Sequence, residues 1–269
     1  MSRSPKELLA YGHLREVDRD SIEATLIHRQ MVERKPFLRD IYVEWIESIQ
    51  KWRPKEAGPG PTVELGSGSS LLKGLHPEVI ASDVAPVPGV DLVCDGCQLP
   101  FARGSISCYV LILVLHHLPD VPAFLRQSAA TVRTGGRVIM IEPWMSPLWR
   151  LIRRVLRHEP CDMQAASWTL QSGGKRLSSA NQAMAWLVFE RDRALFEHHH
   201  PQWRLLRLEL TMPFRYLLSG GVNYRALVPA WSFGFWREVE KLFSPINRLL
   251  AGFCLIVLER TEVPADPTP

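Results

Sequence analysis

The sequence has no apolar run approaching the roughly 20 residues that a membrane-crossing helix needs. Its most apolar stretches, "CYVLILVL" from Cys108 and "FCLIVL" from Phe253, are far shorter, so no span is expected. Behind the opening "MSRSPKELLAYG" there is no long apolar core with a small-residue cleavage site, which argues against a secretory leader and makes the cytoplasm the default location. An excess of one charge is missing too. Lys and Arg total 32 against 28 Asp and Glu in 269 residues, a net +4, well short of the concentrated positive field of a nucleic-acid-binding surface. Cysteine is scarce and odd in number, five in a chain too large to need disulfide staples, so reduced thiols are expected. Cys94 and Cys97 form a C-x-x-C with no second pair at ligand spacing, and the "HHH" at 198–200 closes a predicted helix without acidic partners. No metal site is expected from either.

What is present is the composition of an ordinary globular protein, 46% hydrophobic and 22% charged, long enough to bury a substantial core. From Asp20 to Trp52 the apolar residues Leu38, Ile41, Tyr42, Trp45 and Ile49 recur at helical spacing, and Pro36 divides two helices. The breaker-rich "RPKEAGPGP" from Arg53 then reads as a linker. After it, short β-rich runs alternate with helical or loop segments: "TVEL" at 62–65, "VIASD" at 79–83, "VDLVCD" at 90–95, "CYVLILVL" at 108–115 and "RVIMIE" at 137–142. Continuous Val/Ile/Leu runs suit parallel strands buried on both faces. Between the last two, Asp120 is expected to cap a helix carrying Phe124, Leu125 and Val132, with Gly135–Gly136 ending it. "NQAMAWLVFERDRALFEH" reads as a further helix, and "WRLLRLEL" from Trp203 and "AGFCLIVLER" from Ala251 as strands.

The predicted architecture is therefore α/β: a Rossmann-like doubly wound sheet, mostly parallel with an antiparallel last strand, with added helical cap and lid segments. Residues 1–52 form a helical cap, residues 60–260 the α/β domain, and residues 261–269, "VPADPTP" included, a disordered tail. Stretches 144–180 and 212–248 fit no α/β alternation, and additions of that length commonly carry function.

In an open parallel sheet, ligands bind beyond the carboxyl ends of the strands. Glu64, Gly66, Asp83, Asp95 and His116 all fall at or just past such ends. Gly66 and Gly68 would let a ligand approach the backbone with no Cβ in the way. Asp83 could accept from a pair of ribose hydroxyls and Asp95 from an exocyclic amine, so a nucleoside fits both. For Asp83 the partners are expected on the ligand, not in the chain. A dinucleotide fits less well, because its G-x-G-x-x-G needs a third glycine where position 71 is Leu, and a pyrophosphate disfavours a carboxylate such as Glu64.

Taken together, "VELGSGSS" from Val63, "SD" at 82–83, "DGCQLPF" from Asp95, "VLHHLPD" from Val114 and "GGRVIMIEP" from Gly135 resemble the successive motifs of class I S-adenosylmethionine-dependent methyltransferases. They are most similar to the small-molecule group that includes the ubiquinone/menaquinone C-methyltransferases. The resemblance covers roughly residues 60–143, with the two late strands suiting the family's antiparallel ending. It implies S-adenosyl-L-methionine as cofactor and a methyl group as cargo. Glu64, Gly66, Ser67 and Gly68 match the loop around the methionine part, and Asp83 matches the acid on the ribose diol. Asp95, with the backbone of Gly96 and Cys97, matches the adenine-amine contact, walled by Leu99 and Phe101. Leu111 and His116 match positions bordering the cofactor and opening toward the substrate. The chain departs from the family where Gly68 and Asp83 stand too close for the usual first helix, where "VAPVPGV" replaces most of the second, and where Ile112 and Leu113 replace polar residues.

The Asn-Pro-Pro-Tyr type of signature seen in many amino-methylating DNA and protein enzymes is absent; "LHHLPD" stands there instead, which favours a small-molecule acceptor. Candidates for moving a proton are His116 and His117 at the strand end, His158 and Glu159 in "RHEPCD", and Tyr224 in "SGGVNYRAL". The segment "SPLWRLIRRVLRH" from Ser146 sets Trp149, Ile152, Val155 and Leu156 near one face and arginines around the rest. Such a helix could serve as a lid with a solvated basic face or lie on an anionic membrane. Nothing in the sequence specifies an oligomeric state.

Overall fold

Two local signals open the first described helices. In the computed structural model, which describes residues 17–54, 60–155, 160–170 and 179–262, the Ser21 hydroxyl accepts the Ala24 amide and opens helix α1, Ile22–Arg34. Pro36 then starts α2, Pro36–Trp52, at the position where a missing N–H costs nothing. The strands follow as β1 (Thr62–Leu65), β2 (Ile80–Asp83), β3 (Leu92–Val93), β4 (Ile106–Ile112) and β5 (Val132–Pro143), with the one-turn helix α3 (Leu72–Leu75) after β1 and α4 (Val121–Thr131) before β5. Between β2 and β3 there is only loop. The chain continues through α5 (Pro147–Val155), α6 (Met184–Trp186), a π-helical turn at Leu187–Arg191, α7 (Arg193–His199), β6 (Trp203–Thr211), α8 (Arg215–Ser219), α9 (Phe233–Phe243), α10 (Asn247–Leu250) and β7 (Phe253–Arg260).

The seven strands form one sheet in the order β3-β2-β1-β4-β5-β7-β6. The first five run parallel, and β7 lies antiparallel between β5 and β6. Alternation along each strand sends side chains to opposite faces. Val63, Leu65, Tyr109, Leu111, Val138, Met140 and Ile256 pack against α4 and the helical turns at 184–196. Val110, Ile112, Ile139, Ile141, Leu255 and Val257 pack against α2, whose Leu38, Ile41, Tyr42, Trp45 and Ile49 are all buried. The N-terminal helices are therefore half of the sheet's covering and share its core.

Several boundaries differ from the sequence expectation. Asp120 caps α4 through the Ala123 amide, but α4 ends at Thr131 and Gly135–Gly136 lie inside β5, because the backbone turns extended at Val132 to pair with Ile106. The run at 90–95 pairs only over Leu92–Val93, and β4 stops at Ile112 because Leu113 takes a left-handed φ of 61°. The helix expected over 181–198 is three pieces, broken at Asp192. On the basic helix α5, Trp149 is buried against Gly252 and Phe253 and donates to the Pro213 carbonyl. That residue is thus unavailable to a membrane. His158 and Glu159 lie outside the described residues, as do residues 1–16 and 263–269.

Candidate functional site

The chain reverses across the sheet between β1 and β4: β2 and β3 build outward on one side of β1, and β4 and β5 on the other. Such a switch point opens a crevice at the carboxyl ends of the strands. Here the loop after β1 and the loop after β4 interlock. Gly66 has φ +69°, and a Cβ on it would stand 2.5 Å from Val114 Cγ2. A Cβ on Gly68 would stand 2.5 Å from Thr25 Cγ2 and 2.8 Å from Asp83 Oδ2. The sequence suggested that both glycines clear space for a ligand. In the fold, the volume in the direction of the missing Cβ is taken by Val114, Thr25 and Asp83.

Glu64 lies between Val63 and Leu65 of β1, so its side chain turns to the α2 face, near enough for its charge to act on Tyr42. It is 1% exposed, and among the described residues neither carboxylate oxygen has a hydrogen-bond partner. Burial pushes its carboxyl up to about 8, with Asp83 adding to the shift and Ser70 and Arg29 opposing it. The buried hydroxyl of Ser67 likewise has no hydrogen-bond partner among the described residues. Both residues line a cavity of about 320 Å³, shared with Arg29, Glu33, Ser70, Leu71, Lys73 and Gly89. An unpaired buried carboxylate costs several kcal/mol unless a partner arrives, and a cationic, hydrogen-bonding ligand is the partner that this chemistry fits.

Asp83, at the end of β2, accepts from the amides of Gly68 at 3.2 Å and Ala85 at 3.1 Å. Its partners thus include the chain itself, contrary to the expectation that they belong to a ligand alone. Its carboxylate braces the glycine turn. Asp95 closes a tight turn after β3: Oδ1 accepts the Cys97 amide at 2.8 Å and the backbone carbonyl accepts the Gln98 amide. That turn spends the Cys97 amide within the chain. Gly96 packs beside Leu118, Leu99 is in the core, and Phe101 rests on Tyr109. Leu111 is fully enclosed in the core on the α4 face.

The end of β4 is organised by a residue that the sequence reading passed over. Glu142, at the end of β5 and 0% exposed, accepts the Val114 and Leu115 amides through Oε1, each at 2.7 Å, and meets His116 Nδ1 through Oε2 at 2.6 Å. The rings of His116 and His117 lie 4.2 Å apart at a tilt of 41°, and His117 Nδ1 is 3.4 Å from the Ser179 carbonyl. Tyr224 belongs to a different neighbourhood, where its carbonyl accepts from Lys35 Nζ at 2.7 Å. Among the described residues no group of three or more metal-ligating side chains occurs; His200 is buried beside Trp168 and Phe196, which drives its pKa down to about 4.

Glu142 carried a usable signal, since a carboxylate closing an apolar strand in "IMIEP" repeats the pattern of Glu64 in "TVELG". Arg29 carried none. From α1 it donates to the carbonyls of Gly68 at 2.8 Å and Pro88 at 2.7 Å, partners 39 and 59 residues away. It ties the glycine turn to the β2–β3 loop.

Comparison with known proteins adds an independent line. Residues 73–140 match a family model described as a methyltransferase domain. No curated protein matches the chain. Among solved structures, the methyltransferase in complex with the Trm112 methyltransferase activator of Haloferax volcanii is similar at 15% identity and TM-score 0.52, covering 92% of this chain and 99% of that one. A geranyl diphosphate C-methyltransferase of Streptomyces coelicolor is similar at 13% identity and TM-score 0.49, covering 87% and 83% of the two chains. A Mesorhizobium loti S-adenosylmethionine-dependent methyltransferase is similar at 15% identity and TM-score 0.44, covering 80% and 96%. At 15% identity the likeness to the Haloferax volcanii structure speaks to fold alone. The matched segment runs through β2, β3 and β4 into β5, inside a sheet of the expected order, so this part of the chain is similar to a methyltransferase domain and the whole has the fold expected for one.

Proposed function

We propose that this protein transfers a methyl group from S-adenosylmethionine to an oxygen, nitrogen or carbon of a small-molecule acceptor. One observation carries the reading: Glu64, buried and without a hydrogen-bond partner among the described residues, adjoins a cavity beside the glycine turn. The cofactor supplies an electrophilic methyl on a sulfonium. Glu64 would face its positive end, the Ser67 hydroxyl its polar atoms, Asp83 its ribose hydroxyls, and Asp95 with the Gly96 backbone its adenine amine. Glu64 and Asp83 are close enough for their charges to repel, so neutralising Glu64 with a cationic ligand relieves both.

Alignment of acceptor and methyl can supply roughly 7–11 kcal/mol of the barrier, against about 10²- to 10⁴-fold from a general base. The chain's main task is then to hold and exclude water. For an acceptor that must lose a proton, we assign the base to His116, whose ring is oriented by Glu142. The additions at 144–180 and 212–248 are long enough to wall a small acceptor, and "LHHLPD" favours such an acceptor over a nucleic-acid or protein amine.

Calorimetry with S-adenosylmethionine, S-adenosylhomocysteine and reduced nicotinamide dinucleotide tests the cofactor. Binding of the first two alone supports the reading, and binding of the dinucleotide alone sinks it. Formation of S-adenosylhomocysteine with a panel of small acceptors tests transfer. A chain that binds the cofactor yet turns over none of them would be a binding protein built on this domain.

A further inference from the structure

The large apolar side chains left exposed are not scattered. Among the described residues, Leu227, Trp231, Phe235, Leu242, Phe243, Ile246 and Leu249 all fall in one short stretch, with Leu151 of α5 beside it; elsewhere only Leu75, Val84, Val93 and Leu195 stand out. Trp231 is 86% exposed, Phe235 63% and Leu242 79%. Their spacing of four and then seven residues sets the three on one face along α9 and the turn before it. Phe243, Ile246 and Leu249 continue it at three-residue steps through α10, and α10 packs against α5. A monomeric soluble protein rarely leaves such a row uncovered.

The row is bordered by positive charge. Arg225, Arg237, Lys241 and Arg248 share the stretch with only two acids, Glu238 and Glu240, and from outside it Glu190 lies 3.6 Å from Arg248. Glu240 is buried against Arg215, and Glu238 is paired with Lys241 at 2.8 Å. Helix α5 adds exposed Arg150 and Arg154 and has no acid. The row also has a defined place in the fold. Pro143 and Thr211 both pair with Phe253, which sets the ends of β5 and β6 and the start of β7 at the carboxyl end of the parallel strands; Asn247 of α10 donates to the Leu210 carbonyl there. The exposed face therefore rims the end of the sheet on which the candidate site opens.

We infer that α9 and α10, flanked by the arginines of α5, form a docking face for an anionic lipid surface. Aromatic and leucine side chains enter the headgroup boundary, and the basic border meets acidic headgroups. The charge decides the occupant: a second copy would bring the same positive border against itself, whereas an anionic bilayer complements it. The inference stands apart from methyl transfer.

The test is co-sedimentation of the full chain with vesicles of phosphatidylglycerol and phosphatidylcholine in equal parts, with phosphatidylcholine alone as control. The chain should pellet with the acidic vesicles, stay in solution with the neutral ones, and release as salt rises from about 0.15 to about 0.5 M. Trp231→Glu with Phe235→Glu, and separately Arg237→Glu with Lys241→Glu, should each lower partitioning roughly tenfold or more at unchanged thermal midpoint, because these side chains are exposed. Wild-type protein that stays in solution with acidic vesicles overturns the inference, as does equal partitioning of wild type and variants. A dimer by light scattering that Trp231→Glu with Phe235→Glu converts to monomer also overturns it, assigning the face to a second copy.

Discussion

Glu64 and Glu142 are two carboxylates of the same kind in the same kind of place. Each lies near the carboxyl end of a parallel strand, each is almost wholly removed from water, and each is the only acid in its apolar run. They differ in company. Glu142 has two backbone amides and a histidine ring around it; Glu64 has no hydrogen-bond partner among the described residues. A buried polar group repays its desolvation only when it is paired. Glu142 is repaid within the fold and acts as a clamp between β5 and the β4 loop, while Glu64 has no such repayment among the described residues and is the acid that the proposed cofactor would satisfy. The site therefore has a rigid half and a receptive half, meeting where Val114 fills the space beside Gly66.

Removing the clamp should have the largest effect. Glu142→Ala strands two amides and the His116 ring, and is expected to cost about 3–5 kcal/mol in denaturant unfolding, by analogy with breaking a buried charged network. Glu142→Gln, which keeps one acceptor oxygen, should cost less. Glu64→Gln sharpens the contrast from the other side. S-adenosylmethionine affinity should fall about tenfold or more, roughly 1.4 kcal/mol, while the thermal midpoint holds or rises because no internal hydrogen bond is lost. A drop in stability matching that of Glu142→Ala would erase the distinction between the two residues.

Gly66→Ala tests the seam between the halves. The left-handed φ and the contact with Val114 should together cost about 1–3 kcal/mol, and adding Val114→Ala should recover the steric part but not the backbone part. The gentlest perturbation is pH. The Glu64 carboxyl is raised to about 8 in the folded chain, so the folded state holds this proton more tightly than the unfolded one. Its contribution to stability is full below the ordinary carboxylate range and is lost as pH rises through about 8. Cofactor affinity should climb over the same window, since the positive ligand prefers the ionised acid. Both slopes should vanish in Glu64→Gln, as read from thermal midpoints and calorimetry across about pH 6 to 9.

Much of the frame was legible in the residues. Apolar runs marked β1, β2, β4 and β5, helical spacing marked α2 and the division at Pro36, and the cap at Asp120 was visible from its position alone. Boundaries failed where a distant partner overrode local preference: Gly135–Gly136 were drawn into β5 by pairing beside β4, and Leu113 was bent out of β4 while its amide bonds to the Ile141 carbonyl. Of the site, Glu64, Asp83, Asp95 and His116 could be placed at strand ends because chain order and strand polarity suffice for that. What each side chain would touch could not. Asp83 proved to brace Gly68, Leu111 to belong to the core, and Trp149 to be covered by the protein instead of a membrane.

Residue order alone determined the alternation of strands and helices, the doubly wound class and which polar residues stand at the carboxyl ends of the strands, because periodicity and turn preference act over a few neighbouring residues. Tertiary structure decided who fills the volume beside each glycine, which buried acid is satisfied and which apolar row stays in water. Those outcomes depend on segments such as α1, β5 and α9, which lie tens to hundreds of residues apart in the chain and meet only after the sheet is assembled.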